Sequence, residues 1–529
     1  MKCDEAKPSC QRCVNTGRKC DGYSQEIIIS SAVGKESVAI IQRISTHVPG
    51  NSNEKRGFQF FITHTASELS GYYSSSFWES LILQASVLEP SLRHAVIAIG
   101  SLHEDFSNKK PQNSLDYRQN TLASGFAINQ YTKAIGHLRW SLATGKQAPL
   151  TALMSCILFI CFDSLRGYFE TAMVHLQSGL RILRDLRTRS QDMVHIIENN
   201  IAPLFMRLSV QAILYIDTRS CADRKAFAAE LMSGRAREER IPESFSTLEE
   251  ARNCMNRTAD GLFRMFYMCD GDLPMGCQTP EAWNLYNKYT TELAKWSLSF
   301  EKFMNAKSRN FTSKQVRGAA LLKIQHTTAT IMAMCTPDAN DPRSAAEVVN
   351  SETTLSRFVS EFRIIVNLSR SLITAAEQDI KSGKSSHTFS TDLGVIAPLY
   401  YTCVKCSIKS LREEAMDLLM KCPRREGMWD STAEVQMIRE FWEIEQRHKD
   451  LQKGSGDEIG LGIPLTQVVD LVLSDGMKWE WIWKDPQSSR TPSIDWIEIL
   501  EDQSLFTSTY TLGNDENGGG SGFLDRQGL

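Results

Sequence analysis

The chain has 529 residues, of which 42% are hydrophobic and 23% charged, with 16 prolines. That length and balance exclude a disordered or fibrous polypeptide and leave room for a small module beside a large packed body. A formal net charge of -3 excludes bulk attraction for a polyanion, so any contact with nucleic acid has to come from a local basic patch.

The opening MKCDEAKPSC is charged and has no apolar signal-peptide core. The longest apolar run, residues 152–162, is shorter than a bilayer-spanning helix and stops at Asp163. The expectation is an intracellular protein with no membrane partner. Disulfides are disfavoured there, which makes the distribution of the 14 cysteines informative. Ten are scattered from Cys156 to Cys422 among apolar helical patterns, and four fall within the first twenty residues.

Those four are Cys3, Cys10, Cys13 and Cys20, separated by six, two and six residues. Zinc takes four soft ligands in a tetrahedron, and the Cys10-x-x-Cys13 step lets two thiolates reach one ion from a tight turn. Pro8 fixes a backbone angle just before that step, and Gly17 and Gly22 offer turn conformations near the last thiol. So short a segment has no core of its own and depends on metal to fold. The bland alternative, four reduced thiols in an unstructured tail, leaves the regular spacing unexplained. Around the thiols lie Lys2, Lys7, Arg12, Arg18 and Lys19 against Asp4, Glu5 and Asp21. This local positive excess suits phosphate contacts but not discrimination among bases.

Spacing and residues together resemble the second half of the fungal binuclear zinc cluster, whose pattern is Cys-x2-Cys-x6-Cys, a loop, then the same again. The resemblance implies that Cys3 stands for the third ligand and Cys10 for the fourth, which bridges both zinc ions in the family. Cys13 and Cys20 then stand for the fifth and sixth. The first two cysteines of the family pattern, and the basic helix that enters the major groove, would precede residue 1; of that helix only Lys2 remains. Four thiolates close the tetrahedron of one zinc, so one ion is expected.

Two readings of this start stay open. In one, Met1 is an internal residue and an upstream segment completes the finger. In the other, the chain is a shortened paralogue without specific DNA binding that acts as a protein-interaction scaffold. The resemblance implies a nuclear, zinc-dependent regulator of transcription by RNA polymerase II, serving a metabolic or secondary-metabolite gene set. Its partner would be double-stranded DNA with CGG-type half-sites.

Residues 1–23 are thus read as a partial finger and residues 24–57, polar and irregular, as a linker. No a/d stripe of several heptads comes after the cysteines, which leaves homodimerisation open. Residues 58–453 read as a helical body. Apolar residues recur three and four apart over 77–88, and again from Pro90 to about Phe106. The pattern returns over 123–144, 150–165, 169–186, 201–217, 281–303, 314–334, 353–376, 395–419 and 431–446. Alternation of the strand kind is rare, so the fold class is all-α, a body of stacked helices behind a small zinc module. FWESLILQASVLEPSLRHAVIAIGSLHEDF, YTKAIGHLRW, GYFETAMVHLQSGLRIL and IAPLYYTCVKCSIKSLREEAMDLLMKCPRREGMWDS resemble segments of the helical middle region found after fungal zinc clusters.

Residues 454–529 hold 13 Asp and Glu against 4 Lys and Arg, interspersed with Trp479, Trp481, Trp483, Trp496, Phe506 and Tyr510. Acid interleaved with aromatics resembles activation segments that fold on coactivators; packing of Trp479 to Trp483 on the body is the competing reading. Cys403 and Cys406 form a further Cys-x-x-Cys inside an apolar pattern with no second pair nearby, which favours core packing over a redox or metal role. His103 and Glu104 lack the second histidine of a metalloprotease helix, and the glycines of residues 454–462 lack the lysine and hydroxyl of a phosphate loop. No catalytic constellation stands out, and no enzyme activity is expected.

Overall fold

A computed structural model describes residues 49–108, 125–144, 149–189, 196–216, 240–269, 280–335, 352–383, 385, 387–421 and 423–455. The chain divides into two units, Met1–Lys55 and Arg56–Leu529, and of the first only residues 49–55 are described. There the Glu54 N–H donates to Asn51 Oδ1 and the Asn51 N–H donates to Glu54 Oε2, both at 3.0 Å. This reciprocal pair satisfies backbone donors that a helix start would otherwise leave open. It begins α1 (Ser52–Phe60) within the stretch read as a linker.

In the second unit a π turn, Phe61–Thr65, joins α1 to α2 (Ala66–Leu69), and another, Phe77–Leu81, leads into α3 (Ile82–Leu88). Glu89 is extended, as the residue before a proline prefers, and Pro90 opens α4 (Pro90–Ser107), where its missing N–H has no partner to lose. Next come α5 (Gly125–Ala143), α6 (Pro149–Arg166), α7 (Phe169–Arg189) and, behind a third π turn, α8 (Ala202–Ile216). The later helices are α9 (Leu248–Cys269), α10 (Pro280–Lys307), α11 (Ser313–Met334), the short α12 (Glu352–Leu355), α13 (Val359–Lys381), α14 (Ile396–Lys405), α15 (Lys409–Lys421) and α16 (Ser431–Ser455). The body is all-α, as its periodicity predicts. Among the described residues it carries one small sheet of β1 (Thr388–Ser390), β2 (Arg424–Glu426) and β3 (Trp429–Asp430). β1 pairs parallel with β2, and β2 antiparallel with β3.

Neighbouring helices pack as pairs: α4 on α5, α6 on α7, α9 on α10, α11 on α13 and α14 on α15. The α6–α7 corner shows why the chain turns where it does. Gly167 adopts a left-handed φ of 83°, its N–H donates to Ser164 O at 3.0 Å, and the Tyr168 N–H donates to Asp163 O at 2.9 Å. This pair of bonds closes the last turn of α6 and needs a residue without Cβ at Gly167. Where α1 meets α4 the backbones nearly touch, because a Cβ on Gly100 would run into the Gly57 carbonyl oxygen.

Every side chain of α6 from Thr151 to Leu165 is buried, which explains its all-round apolar pattern. The whole helix spans 18 residues and is long and apolar enough to cross a membrane, and 83% of it is buried inside the body. This corrects the reading of the run as too short: a helix at the centre of a core meets the same length and composition as a spanning one.

Two expected helices are broken. A 3-10 turn, Ser356–Phe358, interrupts the one expected over 353–376. Cys406, extended with ψ 132°, ends α14 before α15 restarts at Lys409.

Candidate functional site

Residues 387–396 run as a strap through the interior of the second unit, and five parts of the fold reach in to hold it. The π turn at Phe61–Thr65 inserts one extra residue into its helix and so sets the direction in which the next side chains face. Thr65 and Glu68 thereby meet the buried His103 of α4, with Nδ1···Oγ1 at 2.9 Å and Nε2···Oε2 at 3.1 Å. The same Glu68 carboxylate accepts the Phe389 N–H at 3.3 Å, and Thr391 Oγ1 donates to Leu69 O at 2.8 Å. From α8, Gln211 Nε2 donates to Thr391 O at 2.7 Å; from α11, Gln325 Nε2 donates to Leu393 O at 2.5 Å.

The charged centre of the strap is Asp392. Arg207 of α8 brings Nε to 2.7 Å from Oδ1, and Arg252 of α9 donates from Nη1 to Oδ2 at 2.9 Å. All three side chains are at least nine-tenths buried. The Arg207 approach is an ion contact rather than a directed hydrogen bond, and neither Arg207 Nε nor Asp392 Oδ1 has a hydrogen-bond partner among the described residues. Burial pulls Arg207 down to about 10, against the pull of Asp392 and with the push of Arg252. The Arg252 guanidinium also lies 4.4 Å from the centre of the Tyr73 ring. Burial raises the Tyr73 hydroxyl above its ordinary range, and it donates to Gly318 O in α11 at 2.9 Å.

At its far end the strap enters α14. Glu426 of β2 accepts the N–H groups of Val395 (3.1 Å) and Ile396 (2.8 Å), so a carboxylate sits on the positive end of that helix. Burial raises the Glu426 pKa, opposed by Arg424 and by those N–H groups. A Cβ on Gly394 would overlap this carboxylate, so any side chain there would have to displace Glu426. Beside β2, Arg425 Nε donates to Asp430 at 2.7 Å, Nη1 donates to Leu165 O, and the guanidinium lies over Phe106. The hairpin is thereby tied to α4 and α6. With their charges committed to one another, these groups form a mechanical tie between distant parts of the chain rather than a reaction centre.

The residues singled out for metal and DNA, Cys3, Cys10, Cys13, Cys20, Lys2, Lys7, Arg12, Arg18 and Lys19, lie outside the described residues, as does the acidic tail from residue 456. Among the described residues no group of three or more His, Cys, Asp or Glu side chains could hold a metal ion. Cys403 and Cys406 are buried in the core, as their apolar setting predicts. Burial pushes the Cys403 thiol up to about 12 and raises Cys406; Cys403 Sγ donates to Arg412 O at 3.5 Å. Sequence reasoning missed Arg207, Arg252, Asp392 and Glu426. The one local signal was a lone arginine inside the apolar run PLFMRLSVQAIL of α8, since arginine is seldom fully buried unless paired.

Residues 56–222, which hold α2 to α8 and so Arg207 and Gln211, match the family described as Fungal specific transcription factor domain. The chain is 23% identical over 564 residues to the aspercryptin biosynthesis cluster-specific transcription regulator atnN of Emericella nidulans, covering 86% of this chain and 87% of that protein. It is 31% identical over 208 residues to the transcription regulator lscL of Purpureocillium lilacinum, covering 36% of this chain and 48% of that one. No solved structure matches it. The helical body is therefore similar, first through the segment that carries one side of the Asp392 tie and then along most of the chain, to fungal transcription regulators.

Proposed function

We propose that the chain is a zinc-dependent, DNA-binding transcription regulator that acts in the nucleus on a fungal biosynthetic or other metabolic gene set. What carries the reading is the meeting of two features in one chain. The first is the spacing of Cys3, Cys10, Cys13 and Cys20, which suits a tetrahedral thiolate site. The second is a body similar over most of its length to a cluster-specific transcription regulator.

The four thiolates would hold Zn2+, which supplies the fold of a segment too short for a core. Lys2, Lys7, Arg12, Arg18 and Lys19 then face DNA phosphates. The helical body serves as a stiff platform, and residues 454–529 offer acid and aromatic side chains to coactivators.

The test is binding of the zinc-loaded protein, together with the upstream segment that completes the finger, to duplexes with CGG half-sites against scrambled duplexes over a range of salt. Preference for CGG, a steep fall with salt, and loss on chelation or in Cys10→Ser/Cys13→Ser are expected. Zinc-loaded protein that shows no preference among sequences overturns specific DNA binding and leaves the scaffold reading in its place.

A further inference from the structure

We propose that the exposed face shared by the end of α3, the start of α4 and the outer side of α5 is a docking surface for residues 495–506 of the same chain, DWIEILEDQSLF. The inference concerns the helical body and the tail and does not depend on zinc or DNA binding. Three observations converge on it.

The first is apolar surface that the body leaves open. Val87 and Leu88 at the end of α3 are 42% and 67% exposed, and Trp140 of α5 is 59% exposed. Side-chain contacts join them into one face. Arg93 Nη1 donates to Val87 O at 3.1 Å, and the adjacent His94 stacks on His137 of α5 with ring centres 5.2 Å apart. His137 and Trp140, three residues apart, lie on one side of their helix. Large apolar side chains gathered on a protein surface mark a place where a partner sits.

The second is Gly136, in the same stripe of α5, where a Cβ would meet nothing within 4 Å. Glycine weakens a helix interior relative to alanine, and no neighbour within the body asks for it. The bare backbone at this point lets another chain lie close.

The third is charge. α5 carries Lys133, Arg139 and the titratable His137 and has no acid, and Arg93 lies beside it on α4. These cations outnumber Glu89, the half-buried acid between Leu88 and Pro90. An acidic occupant is therefore favoured over a second copy of this face, which would bring like charges together. Residues 495–506 hold Asp495, Glu498, Glu501 and Asp502 and no cation, with Trp496, Ile499 and Leu500 three and four apart. That is the spacing with which apolar anchors enter a groove on a helical surface. The segment starts 40 residues past Ser455, the end of α16. A run of that length reaches about 130 Å when extended, and tethering raises its local concentration to about the millimolar range.

The test uses the dilute full chain. Zero-length carbodiimide coupling, mapped by mass spectrometry on mixed light and heavy protein, should join Lys133 to Glu498, Glu501 or Asp502 of the same copy. A fluorescent peptide of residues 495–506 then probes the face from outside. It should bind the Trp496→Ala/Ile499→Ala/Phe506→Ala chain about tenfold or more tightly than wild type, whose face is filled by its own segment.

Gly136→Glu puts an acid into open space without disturbing the fold. Added to the triple variant it should abolish peptide binding, with the Tm unchanged, and in the otherwise native chain it should remove the Lys133 crosslinks. Equal peptide affinity for wild type and the triple variant overturns the proposal, as does a peptide that binds neither. Peptide binding that survives Gly136→Glu, or crosslinks formed only between copies, overturns it as well.

Discussion

The side-chain carbonyl of Gln211 occupies the space that a Cβ on Gly427 would need. Gly427 is the first residue of the two-residue turn between β2 and β3 and has a φ of 58°, a conformation that suits hairpin twist and disfavours any side chain. Backbone geometry and packing thus ask for glycine at the same point. Gly427→Ala should destabilise the protein by about 2–4 kcal/mol, combining left-handed strain with overpacking. Adding Gln211→Ala removes the collision but not the strain, and gives up the bond to Thr391 O. Urea unfolding of the two variants should therefore show partial relief, not recovery.

Asp392 is the counter-charge for two buried arginines, so its loss is asymmetric. Asp392→Ala should cost about 3–5 kcal/mol in chemical denaturation, because both guanidinium groups stay buried without it. Replacing all three members by apolar side chains of similar volume should lie closer to wild type than the single variant does. Equal effects of the single and triple changes would show that the charges are not coupled.

Glu434, buried in α16 near Asp430, is pushed from 4.5 up to about 8, first by burial and then by that carboxylate. The folded state holds this proton where the unfolded chain has released it. The stability it contributes is complete below about pH 4.5 and is lost as pH rises toward 8. His326 works in the opposite sense: burial lowers it from 6.5 to about 4, so its contribution is present above 6.5 and is lost as pH falls toward 4. Glu434→Gln should flatten the decline on the alkaline side in denaturation curves taken from pH 5 to 8, and leave the acid limb in place.

Buried thiols should stay silent in the native state. Cys156, Cys161, Cys254, Cys335, Cys403 and Cys406 are buried, and burial raises each thiol, so few thiolates form to react. Alkylation mapped by mass spectrometry should leave these six unmodified until denaturant is added. Cys3, Cys10, Cys13 and Cys20 should be protected with zinc and react within minutes of chelation. Equal labelling of those four with and without chelator would remove the metal site.

The helices read from the sequence are those whose signals are local. In α4 an apolar stripe runs on from a proline at the first position, and in α6 the whole surface is apolar. α9 escaped because its buried face mixes Arg252, Thr258 and Asp260 with its apolar residues, and the partner that makes Arg252 tolerable is 140 residues away. β1, three residues long, is too short to show a period, and the break at Cys406 carries neither proline nor glycine. The proposed zinc ligands are legible because metal spacing is written within twenty residues. The Asp392 tie is not, since each member looks ordinary until the fold brings them together.

Arg207 and Gln211 lie inside the stretch that matches a known family, while the residues they grasp come some 180 positions later. A recombinant piece trimmed to residues 56–222 would strand a dehydrated cation and bare one flank of α8. Such a piece should come out insoluble or without cooperative melting, and inheritance of this architecture has to carry both stretches at once.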